Sequence, residues 1–338
     1  MNALTTAPID SHYLIEDRLE ERSAFSKVTR DLQLAVENFV SLERATSNYR
    51  LLYRNVVYAL HQIMEAIRSC EKAGMERGEI RSDLLPVRLL HRRSLFVARA
   101  QDWPRGYAGD FETIEYLCDG MNRVSVEDTL GYCIEEYTIN SQITQQHRNK
   151  IKLQAEMMLK CCQRKEHARI LSIGCGGARD LRLIAGHLRD SKAEFVLCDS
   201  DSDALDLAKN ELGPLAEKCT FVQGRVPRVM SRLKALGKFD LVVAGGLFDY
   251  LPNRWVELMV GEIWRHFLHL EGILFFTNIA LNNPYRVWME YMADWSLIER
   301  SKYDLERLCR NAGVDGRAVS ITREATNLTL IATVAKSN

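Results

Sequence analysis

A glycine-rich turn carries the clearest chemical signal in the sequence. Gly174, Gly176 and Gly177 directly follow a short apolar run, and Asp180 lies just beyond them. A turn of this kind between a strand and a helix lets the backbone approach a ligand closely. Asp199 ends the next apolar run, 25 residues after Gly174. This spacing is typical of an acidic residue that binds a ribose diol in a nucleotide-binding α/β fold.

Two classes of nucleotide cofactor compete for this turn. A dinucleotide site favours a third glycine, which would fall at position 179, where the sequence has Arg179. The charge of Asp180 would oppose a pyrophosphate, whereas it suits a cationic amino-acid tail such as that of S-adenosylmethionine. The turn therefore favours S-adenosylmethionine over a nicotinamide dinucleotide. Asp180 also fits the simpler role of an acidic residue that is favoured at a helix N-terminus.

The elements around the turn alternate between short apolar runs and helical segments from about residue 168 onward, which predicts a parallel α/β sheet. Five runs supply the predicted parallel strands: ARILSI, AEFVLCD, CTFVQG, FDLVVAGG and GILFFTN. Two further runs, RAVSITR and LTLIATVAK, flank a short turn from Glu324 to Asn327. We predict that they pair as an antiparallel hairpin at the end of a seven-stranded, Rossmann-like sheet.

The first hundred residues have a different pattern. From about residue 20 to 100, apolar side chains recur three and four positions apart, which predicts successive helices around a common core. The segment DWPRGYAGDF (102–111) then ends the helical pattern with a proline and two glycines. It fits either a lid over a ligand or a capped turn between helices. We predict an N-terminal helical domain (1–145) with a lid loop at about 102–112, and an α/β domain (146–338).

Composition and charge exclude several classes of protein. The 338 residues include 45 basic and 45 acidic side chains, which gives a net charge of zero. A neutral chain argues against a nucleic-acid-binding protein, which usually has a strongly basic surface. No run reaches the roughly 18–20 apolar residues of a membrane span, and the polar N-terminus resembles no secretory signal, which predicts a cytoplasmic protein. The nine cysteines show no paired spacing and are expected to be reduced. His266 and His269, on one predicted helix, lack further ligands and predict no metal site.

Five blocks of the sequence resemble class I S-adenosylmethionine-dependent methyltransferases. The resemblance is closest to the bacterial family that makes 3-hydroxy fatty acid methyl esters, the extracellular-factor signal. The blocks are RGYAGDFETIEYL (105–117), ILSIGCGGARDL (170–181), FDLVVAGGLFDYL (239–251), TNIALNNPYRVWMEYMADWSLIER (277–300) and TREATNLTLIATVAK (322–336). The resemblance covers about residues 100–336. It implies the class I methyltransferase sheet, S-adenosyl-L-methionine as cofactor and a small-molecule acceptor.

The resemblance also implies the residues that hold the cofactor. The glycines of the turn line its amino-acid end, the acidic residue after them contacts its ammonium, and Asp199 takes the ribose hydroxyls. Adenine is expected after the third strand, and the segment after the fourth strand borders both cofactor and acceptor. The implied cofactor-binding residues are Gly174, Gly176, Gly177, Asp180, Asp199, Arg225, Gly245 and Phe248.

Five residues are implied at the methyl acceptor: Tyr107, Asp110, Asp249, Tyr250 and Asn278. For Phe248 and Tyr250, packing in the core is an equally good interpretation. A carboxylate acceptor is ionised at neutral pH and needs only orientation, whereas an alcohol needs a general base. No histidine lies in any of the five blocks, although His147 precedes the predicted sheet. This favours a carboxylate, although Asp249, Asp110 or Tyr107 could also serve as the base for an alcohol. The resemblance implies a 3-hydroxy fatty acid, for which the N-terminal helices could supply an apolar channel.

Other hypotheses stay open at this point. The same cofactor site could serve a methyltransferase of specialised metabolism that acts on nitrogen, carbon or a hydroxyl group. A cofactor-binding regulator without enzymatic activity would use the helical domain as an interaction surface. A nucleic-acid methyltransferase is disfavoured by the zero net charge. The N-terminal helices could also pair two copies of the chain, so a homodimer is a further expectation.

Overall fold

The protein is described by a computed structural model that covers residues 11–44 and 48–337, with side chains from Phe25 onward except at Pro227. Residues 1–10, which hold the start of the predicted helical domain and of its polar N-terminus, lie outside the described residues. Among the residues described, no helix is both long and apolar enough to span a bilayer.

A seven-stranded sheet forms the centre of the α/β region. Its strands are β1 (Arg169–Ile173), β2 (Glu194–Asp199), β3 (Cys219–Gln223), β4 (Phe239–Ala244), β5 (Leu268–Ile279), β6 (Val319–Arg323) and β7 (Thr329–Ala335). Their order across the sheet is β3-β2-β1-β4-β5-β7-β6. The first five strands run parallel, and β7 pairs antiparallel with both β5 and β6. The predicted sheet and its terminal hairpin are confirmed.

Fourteen α-helices are present in the described residues. Eight precede the sheet: α1 (Ser11–Ser41), α2 (Tyr49–Lys72), α3 (Arg77–Asp83), α4 (Leu85–His91), α5 (Leu95–Asp102), α6 (Phe111–Asp119), α7 (Thr129–Asn140) and α8 (Gln142–Arg164). The others are α9 (Arg179–Ile184), α10 (Ser202–Glu211), α11 (Val226–Ala235), α12 (Asn253–Glu262), α13 (Arg286–Met292) and α14 (Lys302–Asn311).

Alternation along the strands builds a core on each face of the sheet. In β1, Leu171 and Ile173 pack with α11, α12 and α14, whereas Ile170 packs on the opposite face with α8, α9 and α10. This follows from the two-residue period of a strand, and helices on both faces explain why the central strands β1 and β4 are mostly apolar and buried. The sheet therefore presents its carboxyl edge, where the strands β1, β2 and β4 end, as the place for polar side chains.

The chain divides into two compact units that interleave in sequence. Of the described residues, one unit holds those up to Ala98 together with 123–137 and 287–293, and the other holds 99–122, 138–286 and those from Asp294 onward. This division differs from the predicted boundary between residues 145 and 146. The 102–112 loop and α8 belong with the sheet, because both make side-chain contacts to residues of the sheet's carboxyl edge. A boundary read along the chain cannot detect such long-range contacts.

The helical unit packs around α2, whose buried face includes Val56, Leu60, Ile63 and Ile67. These positions are three and four apart, as the sequence predicts for an amphipathic helix. The predicted stripe of α1 is only partly buried, since Leu32 and Phe39 are in the core whereas Phe25 and Leu34 are exposed. The helical character of this region is therefore confirmed, although not every apolar residue faces the core.

One predicted helix is shorter than expected. The sequence predicts a helix through His266 and His269, but α12 ends at Glu262 and a π-helical segment (Ile263–Phe267) leads directly into β5. His266 therefore lies in the π-helical segment and His269 in a strand. A continuous apolar run does not distinguish a buried helix from a buried strand by its period alone. The described residues contain no cluster of histidine, cysteine or carboxylate side chains that could hold a metal ion.

Candidate active site

The glycine-rich turn leaves β1 in a left-handed backbone conformation. Gly174 and Gly176 have φ values of +65° and +52°, which glycine adopts without steric cost. Ala178 has a φ of +51°, at a cost of about 1 kcal/mol for a residue with a Cβ. A Cβ at Gly177 would lie 2.8 Å from the end of the Leu207 side chain and 3.0 Å from a carboxylate oxygen of Glu115, so both side chains would have to shift. Side-chain contacts therefore restrict position 177, and the left-handed backbone conformation restricts position 178.

Asp199 connects this turn to the end of β2. Its carboxylate accepts hydrogen bonds from the backbone N–H of Gly176 at 2.8 Å and from that of Asp201 at 3.0 Å. Each oxygen therefore keeps further acceptor capacity. Burial raises the pKa of Asp199, and the backbone N–H groups of Asp201, Gly176 and Ser200 oppose that rise. Asp201 in turn caps α10, a position at which aspartate is favoured.

The 102–112 loop is bound to the residues that follow β2. Arg105 donates from Nε and Nη2 to the two carboxylate oxygens of Asp201 at 2.6 and 2.7 Å, and also to Asp203. A two-pronged contact of this kind fixes the orientation of both side chains. The Tyr107 hydroxyl donates to Asp201 at 3.3 Å. The loop therefore lies beside Asp199, as a lid over the predicted ribose site would require.

The loop also reaches the segment that follows β4. Gly109 has a φ of +69°, and a Cβ there would lie 2.1 Å from the hydroxyl of Tyr250 and 2.7 Å from Trp295. Trp295 donates from its indole N–H to that hydroxyl at 2.9 Å. Trp295 also packs against His147, with the two ring centroids 5.4 Å apart. These side chains form an aromatic wall at the carboxyl edge of the sheet.

The protonation states in this wall follow from burial. Desolvation is the main cause that raises the pKa of Tyr250, and the negative charge of Asp249 is the second. Desolvation also raises the pKa of Tyr107, with the charge of Asp201 as the second cause. Both hydroxyls therefore stay protonated and can donate at neutral pH. Burial lowers the pKa of His147, and the positive charge of Lys150 lowers it further. His147 is therefore a neutral imidazole.

Several predicted site residues lie below this surface. Phe248 is fully buried against Phe276 in the core, and Asn278 is fully buried with its amide oxygen accepting from Arg300 at 2.6 Å. Asp249 is 2% exposed and accepts from the backbone N–H of Ile279 at 2.6 Å. The structure thus places these three side chains under the site and not at its surface, where a ligand would meet them. The position after a strand does not specify which way a side chain points.

Asp110 and Arg225 also have structural positions. Asp110 caps α6 through the backbone N–H of Thr113 at 3.0 Å and accepts from Arg99 at 2.8 Å. Its carboxylate is 2% exposed. Arg225 is exposed at the start of α11, just after β3. Asp180 is buried at the start of α9 and accepts from the N–H of Leu181 at 2.8 Å. Burial raises the pKa of Asp180 to about 6.

Three polar residues of α8 are a part of the site that the sequence analysis did not assign. His147, Lys150 and Gln154 are all buried. Their spacing of three and four positions puts them on one helix face. Polar side chains at a spacing normally filled by apolar ones are the signal that could have identified them. Lys150 lies 3.4 Å from Asp249, so α8 contributes a charge to the segment after β4.

Comparisons with known proteins agree with this geometry. Residues 171–268 match the family model described as a methyltransferase domain. A search of curated proteins gives no match. Among solved structures, a possible exported protein from Bordetella parapertussis is similar, with 13% identity, a TM-score of 0.56 and coverage of 94% of this chain and 97% of that chain. At this identity the likeness shows the fold.

Two further structures are more distant. Magnesium protoporphyrin IX methyltransferase from Synechocystis PCC 6803, solved with bound S-adenosylhomocysteine, has 14% identity and a TM-score of 0.41, over 58% of this chain and 88% of that chain. A SAM-dependent methyltransferase from Archaeoglobus fulgidus has 13% identity and a TM-score of 0.42, over 55% and 93%. The family match and the seven-stranded fold support a methyltransferase whose cofactor is S-adenosylmethionine.

Proposed function

We propose that this chain transfers a methyl group from S-adenosylmethionine to the carboxylate of a small-molecule acid, with a 3-hydroxy fatty acid as the best candidate. The observation that carries the proposal is the glycine turn, which lies beside Asp199 at the carboxyl edge of a matched methyltransferase domain. The fatty-acid identity depends on the resemblance of the five sequence blocks. The cytoplasmic location and the homodimer stay predictions.

The residues at this edge fit the proposed cofactor. A Cβ at Gly174 or Gly176 would fill space next to Leu247 or Phe111, at 3.5 and 3.4 Å, so the glycines keep a backbone cradle open. Asp199 keeps acceptor capacity for two ribose hydroxyls. Asp180 places a carboxylate just past the turn, where an ammonium group would neutralise its buried charge. The open backbone turn and these two acceptor carboxylates therefore suit a nucleoside that carries a cationic tail.

The chain contributes mainly position and an ordered environment. S-adenosylmethionine, when bound, supplies an electrophilic methyl group. The 102–112 loop, held by Arg105, excludes water from the edge of the sheet. The Tyr250 hydroxyl remains protonated and accepts from the Trp295 indole, so its own O–H can donate to an acceptor oxygen, whereas the O–H of Tyr107 is directed at Asp201. Holding the acceptor in line with the methyl group supplies most of the rate enhancement.

This arrangement suits a carboxylate because a carboxylate needs no deprotonation. The Tyr250 hydroxyl is a hydrogen-bond donor, and the carboxylates of Asp110 and Asp249 are buried and already hydrogen-bonded. A carboxylate acceptor is ionised at neutral pH and accepts hydrogen bonds from such donors.

A hydroxyl acceptor is the second candidate, and His147 favours it. The ring lies beside Trp295 and is neutral, because burial lowers its pKa. A neutral imidazole at hydrogen-bond distance could take the proton of an alcohol during methyl transfer. The two candidate acceptors therefore differ in whether their methylation depends on His147. The variant His147→Phe should abolish methylation of an alcohol and leave methylation of a carboxylate largely intact.

Label transfer tests the proposal. The protein would be incubated with S-adenosylmethionine labelled in its methyl group and with host lipid and metabolite extract, and the products would be treated with mild alkali. A methyl ester releases the label as methanol, and 3-hydroxy fatty acids would then be tested as pure acceptors. An alkali-stable product would instead indicate methylation of nitrogen, carbon or a hydroxyl. No transfer, despite cofactor binding, would favour the regulator without enzymatic activity.

The affinity for S-adenosylhomocysteine should depend on the ionisation of Asp180. The pKa of this buried carboxyl is about 6, and the ammonium of the ligand favours the ionised form. Binding is therefore expected to be strongest above pH 6 and to weaken below it by up to about tenfold per pH unit. Titration calorimetry from pH 5 to 8 measures this dependence.

Comparison of two variants isolates this carboxyl, because burial also raises the pKa of Asp199. Asp180→Asn should remove the part of the pH dependence that centres near pH 6. Asp190→Asn, at an exposed position after α9, should keep the wild-type profile. An unchanged profile in Asp180→Asn would show that this residue does not face the ammonium.

A further inference from the structure

The helix α8 carries a buried polar face toward the carboxyl edge of the sheet. Lys150 and Gln154 are only 4% and 5% exposed, although side chains of these types are usually at the surface. They lie four positions apart, so both project from the same side of the helix. Burial of this kind is unfavourable unless the polar atoms find partners. The hydrogen-bond donors of these two side chains are only partly used within the protein, which indicates that a ligand uses the rest.

Gln154 has a buried donor without a partner. Its side-chain nitrogen, Nε2, makes no hydrogen bond among the described residues. The amide lies directly over Gly245, because a Cβ at that glycine would lie 2.1 to 2.2 Å from the amide atoms. The glycine therefore provides the space that the amide occupies. A buried donor without a partner is unfavourable, and an incoming acceptor would remove that penalty.

Lys150 has spare donors at the neighbouring position. Its ammonium carries three N–H groups, and its hydrogen bond to Asp249 is long, at 3.4 Å. A strong bond between these groups would be about 2.7–2.9 Å. Asp249 is also held by the backbone N–H of Ile279, at 2.6 Å. A Cβ at Gly246 would lie 3.7 Å from the Lys150 ammonium, so this donor also faces the glycine pair after β4.

Both donors lie where two strands of the site end. β1 and β4 are adjacent and paired, with Ser172 opposite Val243. The turns that follow them meet, since a Cβ at Gly174 would lie 3.5 Å from Leu247. An anion bound at Gly245 and Gly246 would therefore lie next to the turn that we assign to the cofactor.

We propose that Lys150 and Gln154 form a carboxylate-binding subsite at the Gly245–Gly246 corner. An ammonium and an amide N–H₂ on one helix face supply donors to the two oxygens of one carboxylate. The subsite rests on the proposed function, which offers two sources of this group. One is the carboxylate of the cofactor's amino-acid tail, and the other is the carboxylate of the acceptor.

Calorimetry on binding alone distinguishes these sources. Gln154→Leu removes the amide donor at similar size, and Gln163→Leu, exposed on the same helix, is the matched control. The first pair of probes is S-adenosylhomocysteine and 5′-methylthioadenosine, which lacks the amino-acid tail. The second pair, measured with S-adenosylhomocysteine present, is a 3-hydroxy fatty acid and the corresponding 1,3-diol, which lacks the carboxylate.

A subsite for the cofactor predicts that Gln154→Leu weakens S-adenosylhomocysteine binding about tenfold or more and leaves 5′-methylthioadenosine unchanged. A subsite for the acceptor predicts the same loss for the fatty acid and none for the diol. Lys150→Met combined with Asp249→Asn, which removes both charges of this ion pair, should give the same pattern.

Two outcomes would contradict the account in different ways. If the wild-type protein binds S-adenosylhomocysteine and both variant proteins bind all four probes with wild-type affinity, the subsite is overturned and the proposed function stands. If the wild-type protein does not bind S-adenosylhomocysteine, the proposed function is overturned, and the subsite with it.

Discussion

Asp199→Ala is expected to weaken the binding of S-adenosylhomocysteine roughly a hundredfold. The substitution removes the acceptor for two ribose hydroxyls, and hydrogen bonds to a charged group contribute about 1.5–3 kcal/mol each before compensation. It also removes the carboxylate oxygen that accepts a hydrogen bond from the backbone N–H of Gly176 at 2.8 Å and thereby holds the glycine turn in place. Both effects act on the cofactor, so the loss should appear in titration calorimetry without any acceptor present.

The matched control for this variant is Asp206→Ala, at an exposed position of α10. It removes a carboxylate from the helix that follows Asp199 and should bind S-adenosylhomocysteine as the wild-type protein does. Asp199→Asn keeps one side-chain oxygen as an acceptor and should lose less affinity than Asp199→Ala. Equal affinity of wild-type protein and Asp199→Ala would mean that the ribose lies elsewhere.

Gly109→Ala is the second variant with a large expected effect. The new Cβ would lie 2.1 Å from the Tyr250 hydroxyl and 2.7 Å from Trp295, whose indole N–H holds that hydroxyl. The aromatic wall must shift or the 102–112 loop must move away from it. Overpacking of this kind usually costs about 1–3 kcal/mol of stability. We also expect at least about a tenfold loss of methyl transfer, because displacement of positioning groups is costly to catalysis.

Gly106→Ala supplies the control within the same loop. Gly106 also has a positive φ, at +80°, but a Cβ there would meet nothing within 4 Å. It therefore carries the conformational cost of a left-handed alanine without the steric overlap. Chemical denaturation and transfer rates should show a larger loss for Gly109→Ala than for Gly106→Ala. Equal losses would show that the contact with Tyr250 and Trp295 has no role.

The sequence predicts the sheet well because its signals are local. Each of the seven strands corresponds to an apolar run, and the hairpin is indicated by the short turn before Thr329. The glycine turn and Asp199 are also predicted, since strand ends and glycine positions are read along the chain. Fold and cofactor edge therefore follow from short-range patterns.

The acceptor side depends on contacts that no local pattern encodes. Arg105 and Asp201 are 96 positions apart, and Lys150 and Asp249 are 99 apart. The direction of side chains after a strand is equally hidden. The sequence leaves Phe248 open between the ligand site and the core, and the structure places its ring in the core. Burial of the polar face of α8 becomes visible only once the sheet is in place.

The central claim is that the edge formed by the glycine turn and Asp199 binds S-adenosylmethionine. Equilibrium dialysis of the wild-type protein against labelled S-adenosylmethionine tests it most directly. We predict saturable binding of one molecule per chain, with a dissociation constant in the range of roughly 1 μM to 1 mM that is typical of enzymes and their substrates. The absence of saturable binding across that range would contradict the account.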